Sequence, residues 1–90
     1  MKDGVTFLRF PQACQRAGRT RSALNYQITA GNFPRPVKIS ERAAAFPKHE
    51  VDQVLTAMAG GVSITELKAL VSQIHAERRA GATAGRAIEG

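Results

Sequence analysis

Between Arg9 and Lys48 the chain carries eight basic side chains, Arg9, Arg16, Arg19, Arg21, Arg35, Lys38, Arg42 and Lys48, against one acid, Glu41, a local net of +7. The other 50 residues sum to −1, although the whole chain of 90 residues has 13 Lys and Arg against 7 Asp and Glu. Solvated faces usually mix signs, so charge gathered in one stretch marks the footprint of an anionic partner. The alternative is a basic face with no ligand. Six of the seven acids lie outside the stretch, and no carboxylate pair stands near a histidine as a general acid and base set. His49 and His75 read as surface or capping residues. No phosphate-binding loop, dinucleotide fingerprint or nucleophile elbow occurs, so an enzyme is the weaker reading and no cofactor is expected. One cysteine and two histidines are too few for a structural zinc site. Trp is absent and aromatics are sparse, which leaves no stacking platform for single strands. Double-stranded DNA is the partner that these residues fit.

The elements that must position this charge can be read from periodicity. Val5 to Arg9 is a short β-prone lead-in, and Pro11 suits the first turn of a helix that runs to about Ala17 and ends at Gly18. Ala13, Cys14 and Ala17 form a small-residue face on it; Cys14 reads as a buried small residue, the alternative being a redox-sensing thiol beside Arg16. Thr20 is an N-cap and Gly31 a C-terminal stop for a second helix. The turn between the two helices has the length and glycine content of a helix-turn-helix. On the second helix Leu24, Gln27 and Ile28 share one face, while Ser22, Tyr26 and Thr29 point away and Asn25 lies on the flank. That outward face of hydroxyl, amide and phenol groups could meet base edges and phosphates, or could be an ordinary solvated surface.

Pro34 and Pro36 forbid helix, and Val37 to Phe46 reads as a hairpin with Val37 and Ile39 on one side, Lys38 on the other and Arg42 at the tip. A hairpin beside a recognition helix is a wing. Pro47 then opens a third helix with an apolar stripe of Val51, Val54, Leu55 and Met58, and with Glu50, Asp52 and Gln53 outside. Gly60 and Gly61 stop it. Ser63 to Glu66 has the capping-box pattern of a fourth helix reaching about Arg79, striped by Leu67, Leu70, Val71 and Ile74. That stripe either packs on its own domain or contacts another copy or a partner. The expected organisation is therefore a winged helix-turn-helix over 5–59, a C-terminal helix over 62–79 and a disordered tail over 80–90. The fold class is mostly α with a small β-hairpin wing. The longest apolar run, Ala43 to Phe46, is too short for a membrane span or signal peptide, so a cytoplasmic, nucleoid-associated protein is expected.

With the elements placed, Gly18-Arg-Thr-Arg-Ser-Ala-Leu24, Ile28-Thr-Ala-Gly-Asn-Phe-Pro-Arg-Pro-Val-Lys38, Arg42-Ala43 and Glu50-Val-Asp52 resemble the AlpA family of small phage and genomic-island regulators and excisionases. The resemblance covers about Phe7 to Leu55 and implies a head similar to those of MerR-type regulators. The family's recognition-helix aromatic falls at Asn25, with Tyr26 one place later, and its two common tryptophans fall at Phe46 and Val54. The family motif puts Arg21 and Ser22 at the head of the recognition helix as DNA contacts. Together with the reading of the residues, the expected contacts are Thr20, Arg21, Ser22, Asn25 and Tyr26 on that helix, with Arg19, Arg35, Lys38 and Arg42 on its flank and wing. The resemblance implies one of two roles. The favoured one is a recombination directionality factor that bends attachment-site DNA and helps a tyrosine recombinase (integrase) excise a mobile element; the other is a transcriptional regulator acting at a promoter. Head-to-tail self-association on DNA is expected because one module covers little of the duplex. A protein-interaction adaptor working through the fourth-helix stripe is a third reading.

Overall fold

Two glycines with positive φ place the helix that faces the candidate ligand. A computed structural model describes residues 5–89, with side chains through residue 80. In chain order the elements are β1 (Phe7–Leu8), α1 (Phe10–Ala17), α2 (Arg21–Ala30), β2 (Val37–Ser40), β3 (Ala43–Pro47), α3 (Lys48–Ala59) and α4 (Ile64–Glu89). Gly18 closes α1 with φ 68°, a left-handed conformation that lets the Arg19 N–H reach the Cys14 carbonyl at 3.0 Å and turns the chain directly into α2. Thr20 caps α2 by accepting the Ala23 N–H on Oγ1 at 3.1 Å, and Gly31, with φ 85°, ends it.

The sheet is antiparallel in the order β1-β3-β2, with Phe7 opposite Pro47, Val37 opposite Ala45 and Lys38 opposite Ala44. Glu41 and Arg42 form the turn of the β2–β3 hairpin. The strand register shifts between Lys38 and Ser40, and Ile39 is 40% exposed. Strict alternation would place Ile39 inward beside Val37; the bulge breaks that alternation as the hairpin leaves the core. Four helices and a small three-stranded sheet thus give the expected winged helix-turn-helix with a C-terminal helix.

The core gathers Ala13, Leu24, Phe33, Phe46, Val51 and Val54, with Phe46 edge-on to Phe10 at 5.4 Å and to Phe33 at 5.7 Å. Leu67, Val71 and Ile74 belong to the same cluster, each at most 4% exposed, and Leu70 packs against it. The partner-contact reading of the α4 stripe is therefore corrected. Val51 and Val54 need a cover, and α4 supplies it, so those side chains are already taken.

Ser63 and Glu66 form the expected capping box, with Ser63 N–H to Glu66 Oε1 at 2.9 Å and Glu66 N–H to Ser63 Oγ at 3.1 Å. The Ser63 backbone N–H, and after it the Ser63 hydroxyl, hold the Glu66 carboxyl below the usual carboxylate range. The helix passes the expected stop near Arg79 and continues to Glu89, because the alanine-rich segment sustains a helix without an apolar stripe. The side chains from residue 81 onward, and Gly90, lie outside the described residues.

Candidate nucleic-acid interface

Helix α2 divides its side chains as a recognition helix must. Leu24 is fully buried, Ala23, Gln27 and Ile28 are half-buried, and Ser22, Asn25, Tyr26 and Thr29 are exposed. Tyr26 is 69% exposed, which leaves both its ring and its hydroxyl open to a ligand. Thr20 spends one oxygen lone pair on its cap, and its hydroxyl hydrogen stays available to a phosphate. The Arg21 guanidinium lies 4.2 Å from the centroid of the Phe10 ring, which itself packs edge-on to Phe46. That cation–π contact anchors Arg21 to α1 while keeping a planar, always charged donor set at the start of α2.

The eight cations of the basic stretch separate into two groups. Asp52 on α3 holds Arg16 Nε at 2.6 Å and Lys48 Nζ at 2.8 Å. The Arg16 and Lys48 bonds keep the Asp52 carboxyl below its ordinary range, and Asp52 raises the Arg16 pKa in return. All three side chains are a third or more exposed, so the triad is a surface network of small net worth. Its consequence is where charge remains. Among the described residues, Arg9, Arg19, Arg21, Arg35, Lys38 and Arg42 pair with no carboxylate. Arg19 is half-buried in the helix–helix turn, Lys38 is exposed on β2, Arg42 is exposed in the hairpin turn, and Arg35 precedes β2.

A second network was not foreseen in the sequence. Glu50, expected on the outer face of α3, is buried at 6% exposure and bound by Arg78 of α4, whose Nε lies 3.1 and 3.0 Å from the two carboxylate oxygens and whose Nη2 also contacts Oε1. Glu50 stands four residues before Val54, a spacing that puts it on the buried face, and this was the available signal. Its partner lies 28 residues away, beyond the reach of local periodicity. His75 also has a structural partner: its Nε2 accepts the Arg35 backbone N–H at 3.2 Å.

Cys14 is half-buried against the core, and His49 is exposed. Among the described residues no group of His, Cys, Asp and Glu could hold a metal ion, and no helix is long and apolar enough to cross a membrane. The arrangement can place hydrogen-bond donors and acceptors, an aromatic ring and cations that pair with no carboxylate among the described residues against a polyanion.

Comparison with known proteins adds one finding: the family model described as prophage CP4-57 regulatory protein (AlpA) matches residues 6–57, more than half of the chain. No curated protein and no solved structure matches it.

Proposed function

Because the chain belongs to the AlpA family of prophage regulatory proteins, we propose that it is a sequence-reading, double-stranded DNA-binding regulator of a mobile element. The observation that carries this reading is the exposed face of α2, where Arg21, Ser22, Asn25 and Tyr26 stand outward over a buried Leu24. In the proposed mechanism α2 enters the major groove, Ser22, Asn25 and Tyr26 meet base edges, and Arg21 reaches a guanine or a phosphate. Thr20 and Arg19 flank that contact. Arg35, Lys38 and Arg42 grip the neighbouring phosphates or the minor groove from the wing.

Replacing the side chain at the head of α2 tests the reading. Arg21→Ala should cost about 1 to 3 kcal/mol of binding if Arg21 reads a base, and should relax preference at one position of the site. Fluorescence anisotropy on the recognised duplex and on point variants measures both. Unchanged affinity and unchanged preference would remove Arg21 from the reading helix.

The finer proposal is excision. A single module buries only roughly 600 to 1,000 Å² of protein surface, so repeated sites filled head to tail would supply the specificity and the bend that a tyrosine recombinase needs. The α4 stripe is occupied by the core, so such copies would meet through other surfaces, and the adaptor reading loses the surface on which it stood. The family description as a regulatory protein favours the second role, control of transcription at a promoter of the element.

A further inference from the structure

Arg35 lies on the connection from α2 to β2, between Pro34 and Pro36. Neither proline has an N–H, so Arg35 carries the one backbone donor of that tripeptide. Both of its backbone polar groups are held from α4. The N–H donates to His75 Nε2 at 3.2 Å, and the carbonyl accepts from Arg78 Nη2 at 2.7 Å. Arg78 is itself fixed by the buried Glu50 carboxylate of α3. Two helices therefore converge on the residue that leads from the reading helix into the wing, α4 directly and α3 through Arg78.

We infer that His75 and Arg78 are positioning residues for DNA binding, which hold the Arg35 backbone and through it the base of the wing. The inference rests on the DNA-reading role proposed above. Both residues lie beyond the family-matched segment 6–57, so α4 contributes to the interface from outside that segment.

The His75 half of this clamp depends on its charge state. With Nε2 accepting, the neutral ring carries its proton on Nδ1. Protonation would set an N–H of the ring against the Arg35 N–H, and the bond would be lost. Burial and the nearby cations Arg35, on the connection, and Arg78 and Arg79, on α4, push the His75 pKa down, while Glu50 on α3 opposes them. Lys68 of α4 lines the same groove. The folded state thus takes up the proton less readily than the unfolded chain. The clamp is complete above the ordinary histidine range and is lost as pH falls through that range toward the lower folded value.

The test uses the full chain, a generic short DNA duplex as probe, and the variants His75→Ala and His75→Gln, the glutamine offering a carbonyl acceptor that does not titrate. Wild-type affinity should fall about three- to tenfold on mild acidification, the effect of one lost hydrogen bond. His75→Ala should bind weakly at both pH values, and His75→Gln should keep most of the neutral-pH affinity and lose the pH step. His49→Gln, changing the exposed histidine on α3, should retain the step. In parallel, the Arg35 amide resonance should move with the His75 titration, and its hydrogen exchange should speed up in His75→Ala. A pH step that survives His75→Gln, or an Arg35 amide indifferent to His75, would overturn the clamp. If the duplex is not bound at any pH, the phosphate grip of the proposed DNA-reading role fails, while the Arg35 amide still decides the clamp. Should His75→Ala fail to fold, the comparison of wild type with His75→Gln decides it alone.

Discussion

A chain ending at Gly60 is expected not to fold. Leu67, Val71 and Ile74 are nearly fully buried against α3 and the helix-turn-helix, and removing α4 exposes Val51 and Val54 as well. Burying one such aliphatic side chain is worth about 1.5 to 3 kcal/mol, so losing three removes about 5 to 9 kcal/mol as an upper estimate. A domain of this size has a net stability of about the same magnitude. The family-matched segment 6–57 should therefore be insufficient by itself, although it contains every proposed DNA-contacting residue. Far-UV circular dichroism and a urea titration of residues 1–60 against the full chain check this. The expected result is a cooperative transition in the full chain and none in the truncated one; a cooperative transition in both, at similar midpoints, would make α4 an appendage.

Glu50→Ala should destabilise the protein by about 3 kcal/mol or more, since it leaves the Arg78 guanidinium, 20% exposed, without its buried counter-charge. The expected cost exceeds that of breaking the Asp52 triad, where water can replace either partner. A double replacement separates the charge from the packing. Glu50→Met with Arg78→Leu removes both charges and should recover much of the lost stability, because a well-packed apolar pair avoids the desolvation that the ion pair carries. It should not recover the wing: the Arg35 carbonyl would still lack its Arg78 donor. Urea midpoints of the two variants and the wild type give the stability comparison. A Glu50→Ala protein as stable as the wild type would mean that the pair opens to water.

The parts of the molecule that follow local rules were legible in the chain. Thr20 and Gly31 bracket α2, Pro34 and Pro36 end helical structure ahead of β2, and the Ser63–Glu66 capping box starts α4, each through hydrogen bonds or steric limits within a few residues. The outward face of α2 follows from helical spacing alone. What escaped the sequence depends on contacts between distant residues. Glu50 looks like a solvated helix residue until Arg78 arrives from another helix, and His75 looks like a surface residue until the Arg35 amide meets its ring. The apolar stripe of α4 fits its own core and a partner equally well as a pattern, and only the burial of Val51 and Val54 beneath it decides in favour of the core. The continuation of α4 to Glu89 was missed because an alanine-rich segment carries helix propensity without an apolar period.

The proposed function rests on α2 and the wing forming a sequence-reading surface for duplex DNA. Its most direct test is a titration of the purified full chain on attachment-site and promoter duplexes of its own element, with competitor DNA, over a range of salt concentration. The expected result is a shift that resists competitor on at least one of these duplexes, and a plot of log K against log[salt] sloping near −5, corresponding to roughly six phosphate contacts. Cooperative binding with bending on attachment-site DNA would select excision, and binding confined to a promoter would select transcriptional control. Binding that competitor abolishes on every duplex, or that is indifferent to salt, would contradict it.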